Sequence, residues 1–264
     1  MFDFWKKRRR AELREKPFSP ELWALVTENV PYVRGLSAED TAELQGLVQV
    51  FLAEKSFEGC GGLVVDDEMR VTIAAQACLL LLHRKTDLYP DLDTILVYPH
   101  AYRATGQHRD GALVLESDEV RLGESWSRGS VILAWDHVLR GAHFMGDGHN
   151  VVLHEFAHQL DAEDGAVDGA PDLGSRARYS RWAEVLGTEF AELTDEIHRG
   201  KPSDIDAYAA TSPPEFFAVA TEMFFERPGS LKKRHPELYE QLVAFYVQDP
   251  VAVAERAGFL PRAK

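Results

Sequence analysis

Two histidines four residues apart, His154 and His158, enclose a glutamate, Glu155, inside one helix-like run, residues 150–161 (NVVLHEFAHQLD). Asn150 or His149 can cap that helix, and Val151, Val152 and Phe156 give it an apolar face. Residues four apart on a helix lie one above the other, with Cβ atoms about 5–6 Å apart. The two imidazoles can therefore converge on a single ion at about 2.0–2.1 Å. Glu155 is turned roughly 100° away from His154, which makes it a poor third ligand. It is well placed to take a proton from a metal-activated water. With 10 histidines in 264 residues, chance would supply about 0.03 such matches. A solvent-facing helix with two unrelated histidines would not explain why the charges sit among Val, Leu, Phe and Ala, where an unpaired charge is costly. The run predicts a zinc-binding helix and hydrolytic chemistry. Asp161 follows on the same broad face, either to accept a ring N–H from a ligand histidine or as a helix-end acid.

The chain is long enough, and at 45% hydrophobic apolar enough, to bury a sizeable core. With 29 basic residues against 43 acidic, its net charge of −14 repels phosphate and anionic lipid over most of its surface, which argues against direct nucleic-acid binding. The exception is Lys6-Lys7-Arg8-Arg9-Arg10, just after Phe2, Phe4 and Trp5. It is expected to belong to a solvated, disordered tail over residues 1–20, with a membrane-surface or acidic-partner anchor as the alternative. No secretory h-region follows it, and no apolar run approaches the roughly 18 residues of a membrane span. Cys60 and Cys78 are expected as free thiols, which suits a cytoplasmic protein.

Ser37, followed by Glu39 and Asp40, marks a helix start, and Leu44, Leu47, Val48 and Phe51 recur at helical spacing behind it. A second helix is expected over about 66–83. Short β-rich runs follow at 94–98 (TILVY), 112–115 (ALVL), 120–122 (VRL) and 130–135 (SVILAW), the middle two forming a hairpin. Helices dominate after Gly146 and Gly148. The expected organisation is α+β: an N-terminal helical part over 21–90, leaning on a catalytic part over 91–264 in one compact unit.

A catalytic zinc site needs three protein ligands and an exchangeable water. Ser212, Pro213 and Pro214 open another helix, on which Glu215 and Glu222 share a face. Glu215 could simply close a capping box with Ser212. Glu222 lies in so apolar a stretch that it needs a partner. Spacing does not decide between the two.

The run 154–161 (HEFAHQLD), with 205–210 (IDAYAA) and 215–219 (EFFAV), resembles the Mlc titration factor A family. That is a family of bacterial cytosolic zinc metallopeptidases related to the catalytic domain of anthrax lethal factor. Weaker likeness at 96–99 (LVYP), 123–126 (GESW) and 245–250 (FYVQDP) extends it over nearly the whole chain. The resemblance implies a zincin-like fold with a small mixed β-sheet packed on the active-site helix. It implies one Zn2+ held by His154, His158 and Glu215, with Glu155 as general base and Tyr208 beside the metal as an oxyanion donor. Glu222 is left supporting a ligand or packing. The implied activity is peptide hydrolysis, leaning toward an aminopeptidase. The alternative is a regulatory protein that sequesters a transcriptional repressor, with peptidase activity secondary. A non-haem iron oxygenase also uses two histidines and a carboxylate, but would leave Glu155 unexplained.

Overall fold

The computed structural model describes residues 2–85, 87–100, 129–143 and 146–261. The chain begins with four helices and one short strand: α1 (Phe2–Arg14), α2 (Pro20–Asn29), α3 (Ala38–Glu54), β1 (Ser56–Gly59) and α4 (Asp67–Leu79). The strands β2 (Thr94–Tyr98) and β3 (Ser130–Ala134) follow, then α5 (Trp135–His143) and α6 (Val151–Asp161). Helices α7 (Arg176–His198), α8 (Pro213–Glu226), α9 (Pro228–Arg234), α10 (Pro236–Tyr246) and α11 (Pro250–Ala257) complete it. None of the described helices is long and apolar enough to cross a membrane.

The start signals behave as their chemistry requires. Ser37 caps α3 by accepting from Asp40 N at 3.0 Å, and the Asp40 carboxylate closes the capping box. Asp66 caps α4, accepting from Met69 N at 2.9 Å. That helix stops at Leu79 rather than reaching His83.

The basic N-terminal segment is a helix, α1, where a disordered tail is expected. Arg10 explains the difference. Its guanidinium donates to both oxygens of Glu54, at 2.8 and 2.6 Å, and also to Asp87. Lys6 reaches the same aspartate at 2.9 Å. These partners lie far away in sequence, so the local string gives no sign of them.

The three described strands pair in the order β1-β2-β3. Both pairings are parallel, with Ser56 opposite Thr94 and Thr94 opposite Ser130. A mixed sheet is expected, but the hairpin at 112–115 and 120–122 that would supply antiparallel pairing lies outside the described residues, as does the 123–126 match. β3 stops one residue short of the expected strand because Trp135 already opens α5. The sheet joins β1, from before residue 91, to the strands after it.

Alternate residues of β2 and β3 point inward, Ile95 and Val97 opposite Val131 and Leu133. α6 packs against both α4 and α8. Phe156, on the apolar face of α6, meets Phe51 of α3 at 5.8 Å between ring centres and Tyr89 at 4.9 Å. Burial of such aromatic groups fixes the roll of α6 about its axis. It thereby sets where the opposite, polar face of the helix points.

Candidate metal centre

The polar face of α6 carries His154 and His158, and α8 brings Glu215 onto it. His154 Nε2 lies 3.0 Å from Glu215 Oε2 and 3.3 Å from His158 Nε2, and His158 Nε2 lies 3.3 Å from the same carboxylate oxygen. Ligand atoms about 2.0–2.1 Å from a tetrahedral ion stand about 3.3–3.4 Å from one another. Two sides of the observed triangle have that length and the third, His154 to Glu215, is slightly shorter. Together the three side chains form a buried cluster able to hold a metal ion.

The two glutamates of α8 divide the work that spacing left open. Ser212 caps α8 by accepting from Glu215 N at 3.5 Å, while the Glu215 carboxylate turns to the histidines. Glu222, two turns on, takes the other side of His154, with Oε1 2.7 Å from Nδ1. Its second oxygen accepts from Asn150 N. A carboxylate on Nδ1 fixes both the tilt and the tautomer of the ring, and so directs Nε2 at the cluster.

Electrostatics separate the two imidazoles. Burial alone would lower the pKa of His154, but the Glu222 and Glu215 carboxylates outweigh it and raise it well above the ordinary histidine value. His158 is lowered, chiefly by burial. Burial works against ionised Glu215 too, yet the hydrogen bonds with His154 and His158 hold it at about 2. Glu155 is 4% exposed. Burial pushes its pKa up to about 7, with His154 opposing and Glu215 and Glu222 assisting.

Tyr208 sits on a short 3-10 turn (Ala207–Ala210), capped by the Asp206 carboxylate, which accepts from Tyr208 N at 2.8 Å. Its ring centre is 6.1 Å from that of His154, and the residue is 38% exposed. It forms the open side of an otherwise buried cluster. Burial and the neighbouring Glu215 and Glu155 carboxylates bind its hydroxyl proton more tightly than usual.

Sequence reasoning missed the polar network behind the histidines. Asn150 caps α6 through Leu153 N at 3.1 Å. Its side-chain amide donates to Gln76 of α4 at 2.9 Å, to the Gly141 carbonyl at 3.2 Å and to Glu226 at 3.1 Å. The available signal was Gln76, a lone amide inside the apolar run of α4. Asp161 does not turn to a histidine; its Oδ2 accepts from Gly169 N at 2.9 Å.

Two histidines from α6 and a glutamate from α8 make a cluster of the kind a metallopeptidase uses. The chain belongs to the family described as glucose-regulated metallo-peptidase M90, whose model matches residues 4–247. It is 42% identical to the uncharacterized protein slr2042 of Synechocystis over 252 residues, 95% of this chain and 92% of that one. Proteins named Mlc titration factor A are also similar. The one from Cronobacter sakazakii is 32% identical over 94% of this chain and 91% of its own length. The one from Serratia proteamaculans is 34% identical over 84% and 86%.

Proposed function

We propose that this protein is a zincin-like, zinc-dependent peptidase of the aminopeptidase type, with His154, His158 and Glu215 as the metal ligands. The observation that carries the reading is the triangle of Nε2, Nε2 and Oε2 atoms, 3.0–3.3 Å on a side, with a buried carboxylate, Glu155, next to it in sequence. Zinc bound there would supply Lewis-acid activation of water and of the scissile carbonyl.

The chain's own residues do the rest. Glu155, held near neutrality by burial, takes the proton of the attacking water and returns it to the leaving amine. Tyr208, half-exposed at the rim, donates its hydroxyl to the oxyanion that develops on the carbonyl. β3 lies at the edge of the described sheet, and an extended peptide can pair with it there. The unpaired Cys60 and Cys78 suit a reducing compartment, so the cytoplasm is the proposed location.

Glu155→Gln tests the mechanism. It should keep zinc and lower hydrolysis by roughly 10²–10⁴-fold, whereas His154→Ala should lose both metal and activity. Full activity in Glu155→Gln would remove Glu155 as the base. A panel of peptides with free and acetylated N-termini separates the classes: cleavage of free ends only marks an aminopeptidase.

The names of the relatives favour a second reading, in which the chain binds and sequesters a transcriptional repressor and hydrolysis is secondary. Slow peptide turnover combined with tight, stoichiometric binding of a purified repressor would favour it. That result would set the peptidase reading aside as the main role.

A further inference from the structure

We propose that Asp161 is a positioning residue that, through the turn at Gly169, holds the start of α8 and hence Glu215 in register with His154 and His158. The proposal rests on those three residues being the metal ligands.

Asp161 closes α6, one turn beyond His158, and is 0% exposed. A buried carboxylate needs a reason to be there. Its Oδ2 accepts from Gly169 N at 2.9 Å, and Oδ1 has no hydrogen-bond partner among the described residues. The group therefore grips one thing, the backbone of the loop between α6 and α7.

Gly169 passes that grip on. It adopts φ +80, and a Cβ there would lie 2.5 Å from the carbonyl oxygen of Pro213, the first residue of α8. On its other side, the Gly169 carbonyl accepts from Trp182 Nε1 at 2.9 Å. Trp182 stacks edge-on against Phe217, two residues beyond Glu215, with 5.6 Å between ring centres. The glycine backbone is thus pinned by Asp161 and Trp182 while pressed against Pro213.

The start of α8 depends on such packing. Pro213 and Pro214 have no N–H to offer, and the Ser212 cap on Glu215 N is long at 3.5 Å. Few hydrogen bonds of its own fix the turn that carries Glu215. Asp161 links the helix of the histidines to the helix of the glutamate at the end where the ligand sits.

The test measures zinc affinity of the full-length protein by competition with a chromogenic chelator, alongside the melting temperature of the metal-free form. Asp161→Ala should weaken zinc binding by roughly 10–100-fold, the range seen for groups that support ligands. Gly169→Ala should do the same by displacing Pro213. Asp161→Asn keeps an acceptor oxygen for Gly169 N and should bind zinc nearly as the parent does. Trp182→Phe, which removes the indole N–H and part of the ring while keeping an aromatic group, should weaken binding several-fold and serves if Asp161→Ala does not fold. Parent-like zinc affinity in Asp161→Ala, or in Trp182→Phe where that variant stands in, overturns the proposal, even with a lowered melting temperature. A parent protein that binds zinc no better than His154→Ala would instead overturn the site on which the proposal rests.

Discussion

His154 stands between two carboxylates, Glu215 at Nε2 and Glu222 at Nδ1, and that position decides how the proposed centre would exchange protons for metal. Its raised pKa means that the metal-free cluster carries a proton at neutral pH. An ion approaching Nε2 has to displace it, so metal affinity should rise with pH until His154 titrates. Calorimetric zinc titrations near pH 7, in buffers of different ionisation enthalpy, should show release of about one proton; zero release would contradict the raised pKa. The two glutamates should also separate in metal content. Glu215→Ala should lose zinc, whereas Glu222→Ala should keep it when saturated, with affinity down roughly 10–100-fold. The reverse pattern would exchange their roles. The choice between these residues was not legible locally, because Ser212 made Glu215 look like a capping residue. What separates them is the direction in which α8 faces α6, a property of packing.

Among the elements, α6 was the most legible, since its cap, apolar face and histidine spacing all lie within residues 150–161 and act over single turns. α3 and α4 showed their caps in the same way. α1 was not legible. Its residues are mostly helix formers and Arg8 pairs with Glu12 one turn on, but the contacts that seat it, to Glu54 and Asp87, are remote in sequence. Arg10 and Glu54 are largely buried, so the pair is stronger than an ordinary surface contact. Arg10→Ala should cost about 1–3 kcal/mol by leaving Glu54 without its partner. Denaturant unfolding would show this, and far-UV circular dichroism would show loss of helix. An unchanged midpoint would mean that packing on α3 and the Lys6–Asp87 contact suffice to hold α1. Strand β3 was legible in type but not in extent, because a continuous apolar run does not show where a strand gives way to a helix.

At the scale of the whole molecule, an acidic chain keeps several carboxylates inside. Glu226 is the informative one outside the metal cluster. It accepts from Asn150 Nδ2 and Gly146 N, yet burial raises its pKa to about 8. The folded state thus holds a proton that the unfolded chain releases at about 4.3. Between those values the folded form binds more protons, so this group lowers stability as pH rises, by up to roughly 1.4 kcal/mol per pH unit. Glu226→Gln should flatten stability between about pH 5 and 8, with the largest gain over the parent at the upper end. Chemical unfolding at several pH values measures it, and parallel pH profiles for the two proteins would refute the assignment.

The sequence by itself determined the two-histidine helix, the residues it carries and the α+β character, because each rests on chemistry spread over a few residues of one element. The family likeness at Tyr208 and Glu215 pointed to the rest of the site. The tertiary structure alone decided that Glu222 takes Nδ1 of His154, that Asn150 ties four elements together behind it, and that Asp161 turns to Gly169. Those choices depend on how α6 is rolled by Phe51, Tyr89 and Phe156 and on where α8 is seated. Contacts between residues far apart in the chain set both, and no local pattern encodes such contacts.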